Sequence, residues 1–274
     1  DLTDTSFNFT AEGGLSPSSF SLKDGESQDF YDVPVGTYNI TETVPGGWTL
    51  TSVNCTGGTC TNITNGVSIN LGAAENVTCT FTNTKKGSIT IKKETDPDGS
   101  PQSFNFTGSG GLGGFNLSDG GSKPFSDLLP GSYNITETVP GGWTLTSVNC
   151  TGGTCTDITN GVSINLGAGE NVTCTFNNTQ LGSITIEKQT NPDGSTQSFN
   201  FTGTPGSFNL SDGGSKTFSD LLPGTYNFTE TVPGGWTLTS VNCTGGTCTN
   251  ITNGVSINLA SGENVTCTFT DTKL

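Results

Sequence analysis

Tyr38-Asn-Ile-Thr-Glu-Thr-Val-Pro-Gly-Gly-Trp48 decides the fold, because the chain spells it three times. It returns unchanged as Tyr133 to Trp143, and as Tyr226 to Trp236 with Phe228 in place of Ile. Working outward, Ser52-Val-Asn-Cys-Thr-Gly-Gly-Thr-Cys60 recurs from Ser147 and from Ser240, and each copy then closes on Cys-Thr-Phe, at Cys79, Cys174 and Cys267. The second and third copies open with Gly-Ser-Ile-Thr-Ile, at Gly87 and Gly182. Three repeats follow, at 1–86, 87–181 and 182–274. Units this long are whole domains rather than solenoid turns that need neighbours to bury a core. The joints, Thr84-Lys-Lys-Gly87 and Thr179-Gln-Leu-Gly182, are short, which predicts a semi-rigid rod.

Apolar residues alternate with polar ones along short runs, the period of half-buried strands. In the second repeat, strands are expected near 88–94, 103–107, 114–118, 122–128, 132–139, 143–150, 155–165 and 171–178. Turn residues separate them, among them Pro97-Asp-Gly99, Asp119-Gly-Gly121, Pro140-Gly-Gly142 and Asn160-Gly161. Many short strands with Gly and Pro turns mean an all-β sandwich or barrel. The single Trp of each repeat follows a Gly-Gly pair and is read as a core anchor.

Composition removes several function classes. The net charge is −15, and there is no histidine or methionine. An acidic chain without arginine repels phosphate backbones and anionic membrane surfaces, so no nucleic-acid partner is expected. Without histidine, the commonest general base and metal ligand is missing, and no Ser-His or Cys-His pair can form. No enzyme activity, metal or cofactor is expected. No apolar run approaches the ~20 residues of a membrane span. The first residue is Asp1, with no leader before it, so either a signal peptide has been removed or the chain is a piece of a longer one. Nine cysteines at fixed spacing point to an oxidising, extracellular or cell-surface location.

Gly-Ser-Ile-Thr-Ile-x-Lys, Thr-Glu-Thr-Val-Pro-Gly-Gly-Trp and Cys-Thr-Phe-x-Asn-Thr together resemble the prealbumin-like, Cna B-type (SpaA-like) repeats of bacterial pilins and cell-surface adhesins. The resemblance covers nearly the whole chain. It implies three tandem transthyretin- or Ig-like β-sandwiches, serving as shaft, stalk or spacer.

Alternation assigns the inward faces. Ile89 and Ile91 point inward, and so does Lys93; Tyr133 and Ile135 carry Glu137 with them; Cys174 and Phe176 carry Asn178. The third repeat offers Lys188, Glu230 and Asp271. Buried charges are costly without partners. The resemblance implies a spontaneous Lys–Asn or Lys–Asp isopeptide bond, assisted by the Glu, between first and last strands. Burial that favours a neutral amine and a protonated carboxyl suits that chemistry. A buried Lys–Glu ion pair, or a lysine reaching out to solvent, are the plainer alternatives.

The first repeat has Glu42 and Asn83 but no Gly-Ser-Ile-Thr-Ile strand before Phe7, so its Asn awaits an external lysine. Either upstream sequence is missing, or another molecule donates the strand, which would drive self-association into a homopolymer. The chain stops at Thr272-Lys-Leu274 with no spare strand to donate in turn.

The family commonly pairs the positions of Cys55 and Cys79, and so of Cys150 with Cys174 and Cys243 with Cys267. The rival is Cys55–Cys60 across the Thr-Gly-Gly-Thr turn. Pairing of either kind leaves one thiol per repeat, Cys60, Cys155 and Cys248 in the family's pattern. Three cysteines alone make an incomplete zinc set.

Seventeen Asn-x-Ser/Thr sequons are candidate glycan sites: Asn8, Asn39, Asn54, Asn62, Asn76, Asn105, Asn116, Asn134, Asn149, Asn171, Asn177, Asn200, Asn209, Asn227, Asn242, Asn250 and Asn264. Strands rich in outward Asn and Thr also spell this pattern unaided. Both readings put these side chains in solvent. Asp96-Pro-Asp98-Gly99 is a turn rather than a calcium loop, since it lacks the spaced ligands. The expected function is a non-catalytic filament, pilus or stalk subunit. The alternative is an adhesin or carbohydrate-binding repeat protein, which calls for a divergent, aromatic-rich loop; the copies are near-identical in their loops, with variation concentrated at 11–20, 108–114 and 203–207.

Overall fold

The structure, a computed structural model, describes residues 4–274. These fall into two compact units. One holds the described residues up to Ile89 with Pro124–Ser132 and Asn165–Val172; the other holds Thr90–Lys123, Tyr133–Ile164 and Thr173–Leu274. Every regular element is a strand.

The first repeat contributes β1 (Phe7–Ala11), β2 (Ser19–Leu22), β3 (Gly36–Thr43), β4 (Trp48–Thr56), β5 (Thr59–Ile63), β6 (Gly66–Leu71) and β7 (Thr78–Lys85). The second contributes β8 (Gly87–Asp96), β9 (Phe104–Gly108), β10 (Gly113–Leu117), β11 (Ser122–Leu128), β12 (Gly131–Thr138), β13 (Trp143–Thr151), β14 (Thr154–Ile158), β15 (Gly161–Leu166) and β16 (Asn171–Gln180). The third contributes β17 (Gly182–Asn191), β18 (Phe199–Gly203), β19 (Phe208–Leu210), β20 (Ser215–Leu221), β21 (Gly224–Thr231), β22 (Trp236–Thr244), β23 (Thr247–Ile251), β24 (Gly254–Leu259) and β25 (Asn264–Lys273).

The third repeat shows the plan complete. A four-stranded sheet, β20-β17-β25-β22, faces a five-stranded sheet, β19-β18-β21-β24-β23. Ile184 and Ile186 of β17, and Val265, Cys267 and Phe269 of β25, meet Phe199, Phe201, Phe228, Val255 and Ile257 from the other sheet in one buried cluster. The second repeat has the same two sheets, β11-β8-β16-β13 and β10-β9-β12-β15-β14. Three tandem prealbumin-like sandwiches therefore make up the chain. Trp143 is buried, whereas Trp48 and Trp236 are half-buried; each stands edge-on to a Phe, at 5.2–5.4 Å from Phe7, Phe104 or Phe199.

Two expectations need correction. The strand expected over 155–165 is two strands, β14 and β15, joined by a hairpin. Asn160 takes φ 51°, the left-handed conformation that an Asn-Gly turn needs and a strand interior forbids. Second, the Thr-Gly-Gly-Thr turn does not fold β4 back on β5 as a paired hairpin. β4 pairs with β7 while β5 joins the other sheet, so the turn carries the chain across the sandwich.

The first repeat departs from this plan. Its five-stranded sheet, β2-β1-β3-β6-β5, is whole, but the facing sheet is β4-β7 alone. Residues 23–35, which correspond to the segment bearing β11 and β20, form no strand. In the sister repeats the matching segment pairs with the first strand, β11 with β8 and β20 with β17.

Candidate functional site

At the heart of the second repeat, three elements meet. Lys93 comes from β8, Glu137 from β12 and Asn178 from β16, and all three are buried. The Lys93 amine donates to Asn178 Oδ1 at 2.9 Å, to the Phe176 carbonyl at 3.1 Å and to the Glu94 carbonyl at 2.7 Å. It lies 3.9 Å from Glu137 Oε1 and 4.3 Å above the Phe104 ring. Asn178 Nδ2 donates to Glu137 Oε2 at 2.9 Å, so the amide bridges the amine and the carboxyl. Burial lowers the Lys93 amine to about 8, against the opposing pull of Glu137. Burial likewise raises Glu137 above its ordinary range, even though the Asn178 hydrogen bond and Lys93 favour the anion.

The third repeat places Lys188, Glu230 and Asp271 in the same way, all buried. Lys188 Nζ makes a short contact with Asp271 Oδ2 and lies 3.6 Å from Glu230 Oε1 and 4.2 Å from the Phe199 ring. Glu230 is pushed up to about 8, first by burial, against the nearby Lys188 charge, and further by Asp271.

The local sequence explains how each group is held. Lys and Asn or Asp sit on neighbouring parallel strands: β17 pairs with β25 in parallel, Lys188 opposite Phe269 and Thr190 opposite Asp271. The glutamate is set by the Asn-Gly hairpin. The backbone N–H of Glu137 donates to the Asn160 carbonyl at 2.7 Å, as Glu230 does to Asn253 and Glu42 to Asn65. Gly161 is required there, because a Cβ would lie 2.1 Å from the Ile135 carbonyl. A bulge at Thr146 and Thr239 aims the last strand. Each threonine hydroxyl donates to the carbonyl just before Asn178 or Asp271, at 2.9 Å in both. Beyond Lys188, the Asp212 carboxylate accepts the Gly194 and Thr190 N–H groups at 2.7 and 2.5 Å, which keeps it below the ordinary carboxylate range and closes the Pro-Asp-Gly turn.

The phenylalanine rings, the Phe176 and Phe269 carbonyls and the bulge threonines were not foreseen from the sequence. The bulge breaks strict alternation at Leu-Thr-Ser, and that break was the available signal.

In the first repeat, Asn83 Nδ2 donates to Glu42 Oε1 at 2.6 Å, and burial raises Glu42. No lysine is there. Glu42 Oε2 and Asn83 Oδ1 are buried and have no hydrogen-bond partner.

The cysteines stand in trios. Disulfides join Cys55–Cys79, Cys150–Cys174 and Cys243–Cys267, each pair directly opposite across β4–β7, β13–β16 or β22–β25. Cys60, Cys155 and Cys248 stay outside the disulfides, half-buried. Cys155 and Cys248 approach the bonded Cys174 and Cys267 sulfurs to 4.0 Å. Burial and a nearby Glu hold the Cys60 and Cys248 thiols up. The sequon asparagines are exposed, apart from half-buried Asn39 and Asn177. Among the described residues, no helix is long and apolar enough to cross a membrane.

A sandwich with parallel first and last strands and an amine, a carboxyl and an amide or second carboxyl between them defines a prealbumin-like class of domain. The chain belongs to the prealbumin-like fold domain family, whose model matches residues 2–85, 89–180 and 184–273. No curated protein matches the sequence. Among solved structures, a Bacillus anthracis TIE protein is 16% identical, with 98% of this chain and 52% of that one covered and a TM-score of 0.33. The chain thus spans about half the length of that relative. The Streptococcus pyogenes major pilin T-13 is 16% identical over 68% of this chain and 97% of its own, with a TM-score of 0.29. The Lactobacillus rhamnosus GG pilus adhesin SpaC is 15% identical over 100% and 42%, with a TM-score of 0.26. Overlaps this loose carry no weight for function.

Proposed function

We propose that the chain is a non-catalytic structural subunit of an extracellular filament, pilus or surface stalk, stiffened from within by isopeptide bonds. One observation carries the reading: the paired Lys93–Glu137–Asn178 and Lys188–Glu230–Asp271 centres. Each places an amine on a carboxamide or carboxyl between the first and last strands. In the second repeat, Lys93, depressed to about 8 by burial, supplies a fraction of neutral amine near neutral pH. The amine attacks the Asn178 or Asp271 side-chain carbonyl carbon. The glutamic acid polarises that carbonyl and passes the amine's proton to the departing ammonia or water. Family membership agrees with a surface role, the disulfides with an oxidising location, and the exposed sequons with attached glycans. Self-association into a homopolymer completes the reading, and repeats 1–86, 87–181 and 182–274 are its building blocks.

Intact-mass measurement tests it. A chain lighter than its sequence by one ammonia and one water, beyond the disulfide hydrogens, is expected. Peptide maps should join Lys93 to Asn178 and Lys188 to Asp271. An unshifted mass sinks the cross-links. Regular filaments in negative stain of purified material are expected; dispersed particles favour an adhesin.

A further inference from the structure

We propose that the cysteine trios of the second and third repeats are thiol–disulfide exchange sites, in which the sulfur outside the bond trades places with one inside it. In the third repeat Cys248 displaces Cys243 from Cys267. In the second, Cys155 displaces Cys150 from Cys174.

Two sheets bring the sulfurs together. Cys243 and Cys267 face each other across β22 and β25 of one sheet. Cys248 lies on β23 of the other, opposite Ile257. The chain crosses between them through Thr244-Gly-Gly-Thr247, held close against β25. Gly245 takes φ 86°, and a Cβ there would lie 2.1 Å from the Asn264 carbonyl oxygen. That close crossing lands the Cys248 sulfur 4.0 Å from the Cys267 sulfur. All three sulfurs lie within 4.8 Å of one another. The second repeat has the same arrangement, with 4.0 Å from Cys155 to Cys174. A thiol in contact with a disulfide is the reactant arrangement of exchange, which proceeds by thiolate attack on one sulfur of the bond.

Burial assigns the roles. Cys267 is fully buried, whereas Cys243 and Cys248 are half-buried. Those two line an open cleft of about 330 Å³, together with Asn242, Gly246 and Asn250. Attack on Cys267 keeps the buried sulfur bonded throughout and moves the charge from Cys248 to Cys243, both on the cleft. Attack on Cys243 would strand a thiolate on buried Cys267, which costs far more. Chain entropy locks neither bond. The two loops span 24 and 19 residues, and closure entropy changes slowly with length.

The step balances within one molecule. Cys248 loses its proton to water and attacks the Cys267 sulfur. The Cys248–Cys267 bond forms, the Cys243–Cys267 bond breaks, and Cys243 leaves as a thiolate that takes a proton back. Nothing is oxidised or reduced overall, so no co-reactant is needed. Burial, then Glu263, hold the Cys248 thiol up, so thiolate is scarce near neutral pH and mild base hastens the step. The trade turns a bond within one sheet, β22 to β25, into a bond between sheets, β23 to β25.

Disulfide mapping of the unaltered chain tests this. The protein is held in mild base with no oxidant or added thiol and quenched in acid at intervals. Its thiols are then blocked with a maleimide before digestion. A Cys248–Cys267 pair should appear at the expense of Cys243–Cys267, with label arriving on Cys243 while total label stays constant. The second repeat, whose peptide is marked by Asp157, should show the same for Cys155 and Cys174. The rate should be unchanged on dilution, and blocking the thiols before the base step should freeze the original pairs. Label confined to Cys248 and Cys155 at every time, with only the original pairs present, overturns the proposal. So does a rate that falls on dilution, or pairs that join different repeats, since the trios then do not exchange within themselves.

Discussion

Lys93 and Asn178 are ordinary residues made unusual by their surroundings. An amine taken from water loses the hydration of its charged form, and a carboxyl beside it loses its own. Each is then nearer neutrality than it is in water, the condition an acyl transfer needs. In an Asn178→Ala chain, Lys93 stays an amine and its titration becomes visible in stability. Its folded value, about 8, lies below the ordinary 10.5. Between those values the unfolded chain holds more protons, so stability rises with pH across that window and levels off below it. Urea unfolding of Asn178→Ala against the double variant with Lys93→Met checks this; a flat difference from pH 7 to 11 contradicts it. The cysteine trio makes a second residue-scale prediction. With Cys155 only 4.0 Å from the Cys174 sulfur, a Cys150→Ser chain made under oxidising conditions should pair Cys155 with Cys174. Disulfide mapping reads this directly; two unpaired thiols in that repeat would contradict it.

At the scale of elements, the decisive contrast is between β7 and its sisters β16 and β25. All three carry the same Cys-Thr-Phe core, yet among the described residues β16 and β25 are flanked by strands on both edges and β7 on one. A strand with one open edge opens by local fluctuation at lower cost than one held on both sides. Backbone amides of β7 should therefore exchange faster than those of β16 and β25, by about tenfold or more for each ~1.4 kcal/mol of lost protection. Hydrogen exchange with fragment resolution measures it, and equal protection in all three would mean the edge is covered. The alternation of apolar and polar residues was legible in these strands because one face of each is buried. The bulge at Thr51, Thr146 and Thr239 left only a break in that alternation at Leu-Thr-Ser, because an extra residue in one strand is defined by the strand it opposes.

For the molecule as a whole, parallel first and last strands matter under load. Tension on the two ends of a sandwich pulls β17 and β25 in opposite directions along their shared ladder, and the Lys188–Asp271 bond proposed above would carry that load covalently. In single-molecule pulling, the chain is expected to release length from the first repeat alone. A Lys93→Ala, Lys188→Ala chain should release length from all three. Three unfolding steps in the unaltered chain would contradict the cross-linked reading.

The sequence by itself determined the threefold repetition, the all-β class and the faces on which Lys93, Glu137 and Asn178 point inward. These follow from local rules: self-similarity, a period of two and turn chemistry at Asn-Gly and Pro-Gly pairs. The tertiary structure decided which groups meet. It put the amine of β8 on the amide of β16, stood Cys155 beside the disulfide, and set the glutamate with a hairpin carbonyl far from it in sequence. It also set Asn83 of β7 against Glu42 of β3 in the first repeat, 41 residues apart in sequence. Contact between distant segments depends on how sheets pack across one core, and a single strand's sequence does not carry that.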